Sequence, residues 1–321
     1  MPSPEKLNLS TPLTQFASKY ENSKMIAPLV SPEIKVSAVA GSFNKRSRAD
    51  VNRADVDDLF GADGRANELF YSISSDTFQL VPRGLVAYVS EGHSSVVTSG
   101  LSPEEEAVAQ VMQAIKLAHE KRVATVMTTT TSYTSGNRHT AGVQSKPAVA
   151  TKWSDWTSGD PLGDLKAAIR KLPSAGDEFD RVLWISDVVF DALVSHPQML
   201  ALKGTTSGVV SEEELVAFIR GLDRIAISET TYNSANEGQS ASYSRLWSET
   251  ACGVVLVPKS NPSTEASIFA ATFQHVDGVR VREERDGLRG YGGSTAYVVE
   301  HYTQPAKVVQ DDCGVIISGC L

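Results

Sequence analysis

An α+β fold is predicted for this chain from three observations. The first hundred residues are punctuated by proline and charge and are poor in large apolar side chains. One long, well-capped helix follows. The remainder alternates short helices with buried strands and closes on long strands around a glycine-rich tip. At 321 residues, 41% of them hydrophobic and 21% charged, the composition is that of a globular protein with two domains, or with one core and large insertions.

Composition also excludes several classes. No apolar run approaches the ~20 residues needed to cross a bilayer. The start, "MPSPEKLNLSTPLTQF", lacks a basic stretch followed by an apolar one, so it does not read as a secretory signal. The match of Asn8-Leu9-Ser10 to a glycosylation acceptor then carries no meaning. Three cysteines, Cys252, Cys313 and Cys320, form no CxxC pair and fit free thiols in a reducing compartment. A net charge of −8 favours solubility and argues against a globally basic nucleic-acid binder.

Residues 1–40 carry Pro2, Pro4, Pro12, Pro28 and Pro32 and read as an extended arm unable to bury itself. Residues 41–66 are a long charged loop, and "ELFYSISSDTFQLVPRGLVAYVS" after it alternates like two strands of one long hairpin. The strongest helix starts at Pro103. Ser102 is its N-cap, Glu105 completes a capping box, and Glu104 to Glu106 put negative charge at the positive end of the dipole. Val108, Val111, Met112, Ile115, Ala118, Val123 and Val126 recur at helical spacing, broken by Arg122. Such a helix of about 25 residues is a rod of roughly 37 Å. "TTTTSYTSGN" ends it.

In "KWSDWTSGDPLGDLKAAIRKL", residues 152–172, Asp155, Asp160 and Asp164 cluster beside two tryptophans. Asp160 reads as an N-cap with Pro161 at the first helical position. Leu162, Leu165, Ile169 and Leu172 form the apolar face, and Asp164 suits the first turn. Asp155 keeps no role. A calcium loop needs carboxylates at alternate positions and a closing Glu, which are absent, so the structural reading is preferred over a metal or acid–base site. "RVLWIS" reads as a buried strand. "SDVVFDALVSHPQML" reads as one short helix ending near Pro197, and "SEEELVAFIRGL" as another with Ser211 and Glu214 as a capping box. "DRIAISETTYN" and "ACGVVLVPKS" read as strands. Residues 266–302 read as long antiparallel strands around "RDGLRGYGGS", and "AKVVQDDCGVIISG" as two short strands around Asp311-Asp312.

A catalytic motif is missing at each place that resembles one. "GHSSV" at Gly92 lacks the closing glycine of a nucleophile elbow. "HEKRV" at His119 has Val123 where the second zinc histidine belongs, and "GLRGYGGST" has no Lys before its Ser/Thr. His93, His119, His139, His196, His275 and His301 are scattered, with no pair at ligand spacing. No catalytic, cofactor-binding or metal residue is assigned. The segment holding Lys45, Arg46, Arg48 and Arg53 is nearly neutralised by Asp50, Asp55, Asp57 and Asp58, which favours protein contact over nucleic acid.

The order of these parts resembles that of the major capsid proteins of tailed bacteriophages, the HK97-type capsid fold. The most specific run is "KWSDWTSGDPLGDLKAAIRKL", then "DRVLWISDVVFDALVSHPQML", then "VSEEELVAFIRGLDRIAISETTYN", and "AKVVQDDCGVIIS" is similar to the closing strands of that family. The resemblance implies an N-terminal arm (1–40), an extended loop reaching a neighbouring subunit (41–100) and a peripheral domain with a spine helix (101–175). It further implies an axial domain (176–262), long peripheral strands with a tip (263–303) and terminal strands returning to the axial domain (304–321). The implied contact residues are Lys45, Arg46, Arg48, Arg53, Asp57 and Asp58 in the loop and Arg285, Arg289 and Tyr291 at the tip. The implied function is structural, with no enzyme activity and no cofactor. Hexamers and pentamers would form an icosahedral shell in a host cytoplasm. The shell would enclose double-stranded DNA without reading its sequence, with a separate scaffolding protein, a portal and a decoration protein as partners and no membrane. An encapsulin-type compartment, and a soluble α/β hydrolase built around His196 or His275, are the alternatives.

Overall fold

The structure is a computed structural model that describes residues 9–20, 24–46, 73–90, 102–143, 151–173, 178–204, 210–236, 238–260, 268–290 and 292–321. Two five-stranded sheets are bridged by one helix, α3 (Pro103–Thr128). It begins as the sequence dictates: Ser102 Oγ accepts from the Glu105 amide, and Glu105 returns the bond to the Ser102 amide. Its first half buries Val108, Val111, Met112 and Ile115, whereas Val123, Ala124 and Met127 enter a different and larger core. One rod therefore spans both bodies of the molecule.

The first sheet is built on β13 (Ser294–Val308). β11 (Ala270–His275) and β12 (Arg280–Asp286) run one after the other along one edge of it, and β4 (Val81–Ser90) pairs along the other. β1 (Glu33–Val36) extends the sheet in parallel beyond β11. The register of β11 on β13 shifts between Ala271 and Phe273, where Pro305 cannot donate to the ladder and Ala306 takes a positive φ of 45°. α3 covers one face with Tyr297, Val299 and Val281.

The second sheet has the order β5 (Arg138–Thr140), β14 (Gly314–Ser318), β10 (Ala251–Pro258), β6 (Phe179–Ser186), β7 (Arg224–Ser228). Nearly every residue of β6 and β10 is buried, as expected of central strands covered on both faces. α4 (Pro161–Lys171), α5 (Asp187–Val194), α6 (Pro197–Lys203) and α7 (Glu212–Phe218) pack around it, and Trp153, Trp184 and Trp247 fill its core. Gly253 sits where no Cβ fits: an added carbon would lie 2.6 Å from the Val315 carbonyl and 2.7 Å from Trp184 Nε1. Among the described residues there are also two ribbons, β2 (Ala40–Arg46) with β3 (Ile73–Gln79) and β8 (Thr231–Asn233) with β9 (Tyr243–Arg245).

Several sequence expectations are corrected. The leading segment is not simply extended: it forms α1 (Thr11–Lys19), α2 (Ala27–Val30) and β1, all folded onto the chain's own body. Leu13, Phe16, Ala17 and Tyr20 recur at helical spacing and pack on α3, and Pro12 occupies a first-turn position that tolerates it. β3 and β4 do not form one hairpin, because "FQLVP" offers no turn; buried Leu80 passes the chain from the β2–β3 ribbon into the large sheet. Residues 187–203 make two helices, since Pro197 opens the second one and does not close the first. The last two strands do not pair: the turn at Asp311-Asp312 carries the chain from the first sheet to the second. β5 and α4, grouped above with the spine helix, pack on β14 and the larger core.

Candidate functional site

The three aspartates near the tryptophans hold local structure. Asp160 accepts from the Gly163 amide at 2.9 Å as the N-cap of α4. Asp155 accepts from the amides of Thr157 and Ser158 at 3.0 and 3.3 Å, which closes a turn. Asp164 lies in the first turn of α4, as its position in the sequence suggests, and it is buried. Its Oδ2 accepts from Trp153 Nε1 at 2.9 Å and from the Gly142 amide at 2.8 Å, and burial raises its carboxyl. Among the described residues no group of three His, Cys, Asp or Glu is placed to hold a metal.

The histidines proposed for a hydrolase also have structural partners. His196 Nδ1 accepts from the Gln198 amide at 3.3 Å and caps α6. His275 lies 3.1 Å from the Ser37 carbonyl and 2.9 Å from Asp277. His119 and His301 are held down to about 4, mainly by burial and then by the positive charges of Arg83 and Arg122, with His301 acting in addition on His119.

The named contact residues that the structure describes lie in two places, Lys45 and Arg46 on β2 and Arg285 and Arg289 at the end of the β12–β13 hairpin. The base of the charged loop is the β2–β3 ribbon. Phe43 and Phe78 lie on Phe273, with ring centres 5.4 and 4.9 Å apart, so the ribbon is rooted in the sheet. Lys45 pairs with Asp76 at 2.6 Å, and Lys307 reaches the other oxygen at 3.1 Å. These contacts, with the Lys45 ammonium first, hold the Asp76 carboxyl down to about 2. Lys45 is thus committed within its own chain. Arg46 ends β2 opposite Ile73. Arg48, Arg53, Asp57 and Asp58 lie outside the described residues, as does Tyr291.

The tip closes the β12–β13 hairpin beyond Asp286 and Ser294. Asp286 accepts from the Leu288 amide at 3.0 Å, and Ser294 donates to the Arg289 carbonyl at 2.7 Å. The Arg289 guanidinium stacks 3.6 Å over the ring of Tyr88 on β4, and so the tip is tied back to the sheet. Arg285 pairs across the hairpin with Thr295. What projects is Leu288, fully exposed and not singled out from the sequence. Along β4, exposed Val86 and Tyr88 make an apolar row with Tyr302 on one face, while Val81 and Leu85 are exposed on the other, and the strand's outer edge has no partner among the described residues.

The arm is anchored by a residue that sequence reasoning missed. Glu120 is buried on the inner side of α3. Its carboxylate accepts from the amides of Ile26 and Ala27 at 3.0 and 2.9 Å and from Trp247 Nε1 at 2.8 Å. Tyr20 donates to Gln113 at 2.8 Å, and Lys116 donates to the Tyr20 carbonyl. Its only signal in the sequence is a lone carboxylate next to the apolar stripe, which reads equally well as solvated.

The fold that carries these surfaces is shared with known proteins. No family model matches the chain. It is 25% identical over 244 residues to the major capsid protein of Burkholderia phage BcepMu, covering 71% of both chains. The crystal structure of a phage-related protein from Bordetella bronchiseptica matches with a TM-score of 0.76 at 19% identity, over 98% of both chains. The capsid of cyanophage P-SCSP1u matches at 0.52 and 12% identity, over 93% of this chain and 89% of that one. An encapsulin of Synechococcus elongatus matches at 0.51 and 12% identity, over 97% and 95%. The resemblance to tailed-phage major capsid proteins therefore extends along the chain, and its fold is the HK97-type capsid fold.

Proposed function

We propose that this chain is the shell-forming major capsid protein of a tailed phage. It assembles as hexamers and pentamers into an icosahedral shell around double-stranded DNA. The observation that carries the reading is the whole-chain match to a phage-related structure, joined to sequence likeness with a phage major capsid protein. The sheet around β10 serves as the axial domain, extended by β5 and α4. The sheet around β13 serves as the peripheral domain, with α3 as the spine. The charged loop reaches a neighbouring subunit, and the tip meets its equivalents near three-fold positions. The apolar row on β4 and Leu288 supply surface to bury there. Assembly takes place in the host cytoplasm, with scaffolding, portal and decoration proteins as partners, and the role is structural, with no catalysis.

The test is electron microscopy of the purified chain beside a variant whose residues 48–71 are replaced by Asn-Gly. That replacement keeps the Lys45–Asp76 pair and supplies a two-residue turn. The full chain is expected to give shells or capsomers, and the variant a folded protomer that forms neither. Normal shells from the variant would overturn the role of the loop. Protein cargo in place of DNA in shells from the native source would make it an encapsulin-type compartment, and a persistent monomer at high concentration would reject both readings.

A further inference from the structure

Cys252 on β10 and Cys320 beyond β14 are both fully buried, with their sulfurs 3.8 Å apart. Strand register brings them together. Cys252 lies opposite Ile317; past Ser318 the chain turns at Gly319 with a φ of 73°, and the Cys320 amide donates to the Thr250 carbonyl at 2.8 Å. A disulfide needs its sulfurs about 2.05 Å apart, a closure within reach of side-chain rotation. The third thiol is elsewhere: Cys313 Sγ is 3.1 Å from Gln310 Oε1.

We propose that Cys252 and Cys320 form an intrachain disulfide when the protein meets an oxidising medium, by exchange with a low-molecular-weight disulfide such as oxidised glutathione. Cys320 is the entering group. Residues 319–321 are held by two backbone bonds of Cys320, to Thr250 and from Trp153, and their local opening exposes its sulfur. The Cys320 thiolate attacks one sulfur of the small disulfide, forms a mixed disulfide and releases one thiolate. Cys252 then loses its proton and attacks the Cys320 sulfur, which releases the second thiolate. Two protein thiols are oxidised, and one small disulfide is reduced to two thiols. Burial holds the Cys252 thiol well above its ordinary value, which suits a group that reacts second, within the closed structure. The bond ties the last strand to the centre of the second sheet and closes a loop of roughly 70 residues, long enough for a large restraint on the unfolded chain.

The experiment incubates the full-length reduced protein with oxidised glutathione under native conditions. The mass is expected to fall by about 2 Da, with one thiol left to alkylate after denaturation and a peptide linking Cys252 to Cys320. The melting temperature should rise by roughly 5 °C or more and return on reduction. Cys320→Ser should abolish the mass loss and the shift. Three alkylatable thiols after prolonged exposure, a stable glutathione adduct, or a bridge through Cys313 or between chains would each overturn the proposal.

Discussion

Replacing Glu120 by alanine would leave the amides of Ile26 and Ala27 and the Trp247 indole facing a dry interior with no acceptor. We expect a loss of about 3 kcal/mol in urea denaturation, with new protease cleavage near residues 20–30, whereas Glu120→Gln keeps one acceptor oxygen and loses about half as much. An unchanged midpoint for the alanine variant would dismiss Glu120 as the anchor. His119 and His301 make a second prediction. Their folded values of about 4 lie below the ordinary 6.5, so between those pH values the unfolded chain takes up protons first. Their contribution is complete above about pH 6.5 and fades as pH falls towards 4. Denaturation midpoints at pH 7.5, 5.5 and 4.5 should decline, and His301→Gln should flatten that decline. Equal slopes would count against it.

Among the elements, the β2–β3 ribbon rests both of its phenylalanines on one ring. Phe273→Ala removes the surface on which Phe43 and Phe78 rest and should cost about 3–5 kcal/mol. Hydrogen exchange in residues 40–46 and 73–79 should accelerate more than in β10; uniform acceleration would mean that the ring supports the whole fold equally. The hairpin tip is the opposite case. Leu288 has no burial to lose, so Leu288→Asp should leave protomer stability within about 0.5 kcal/mol and reduce shell yield in light scattering. Helix starts were legible at this scale because caps are local: Ser102 with Glu105, Asp160 with Gly163, and Ser211 with Glu214 each act within three residues. Strand partners were not. β3 and β4 follow each other in the chain yet belong to different sheets.

For the molecule as a whole, the leading segment is the largest departure from expectation. An arm that orders only on association is dispensable to a free protomer. This one buries Leu13, Ala17, Met25, Ile26, Ala27 and Val30 against its own chain and adds β1 to the first sheet. Deleting residues 1–32 should therefore lower the melting temperature of the unassembled protomer by several degrees and expose the inner face of α3. A protomer of unchanged stability would restore the expectation of an association-dependent arm.

The sequence by itself determined the α+β class, the capped helix 103–128, the buried strands around Trp184 and Val254, the hairpin tip and the resemblance to a capsid protein. Each of these rests on periodicity, capping or order along the chain. Only the tertiary structure decided that Glu120 pins the arm, that Asp76 joins Lys45 to Lys307, that Arg289 lies on Tyr88 and that Cys252 meets Cys320. Ala27 stands 93 residues from Glu120, Lys307 231 from Asp76 and Cys320 68 from Cys252. A buried polar group takes whichever partner the packed strands bring to it, and that choice is made by register between distant segments, which no local pattern encodes.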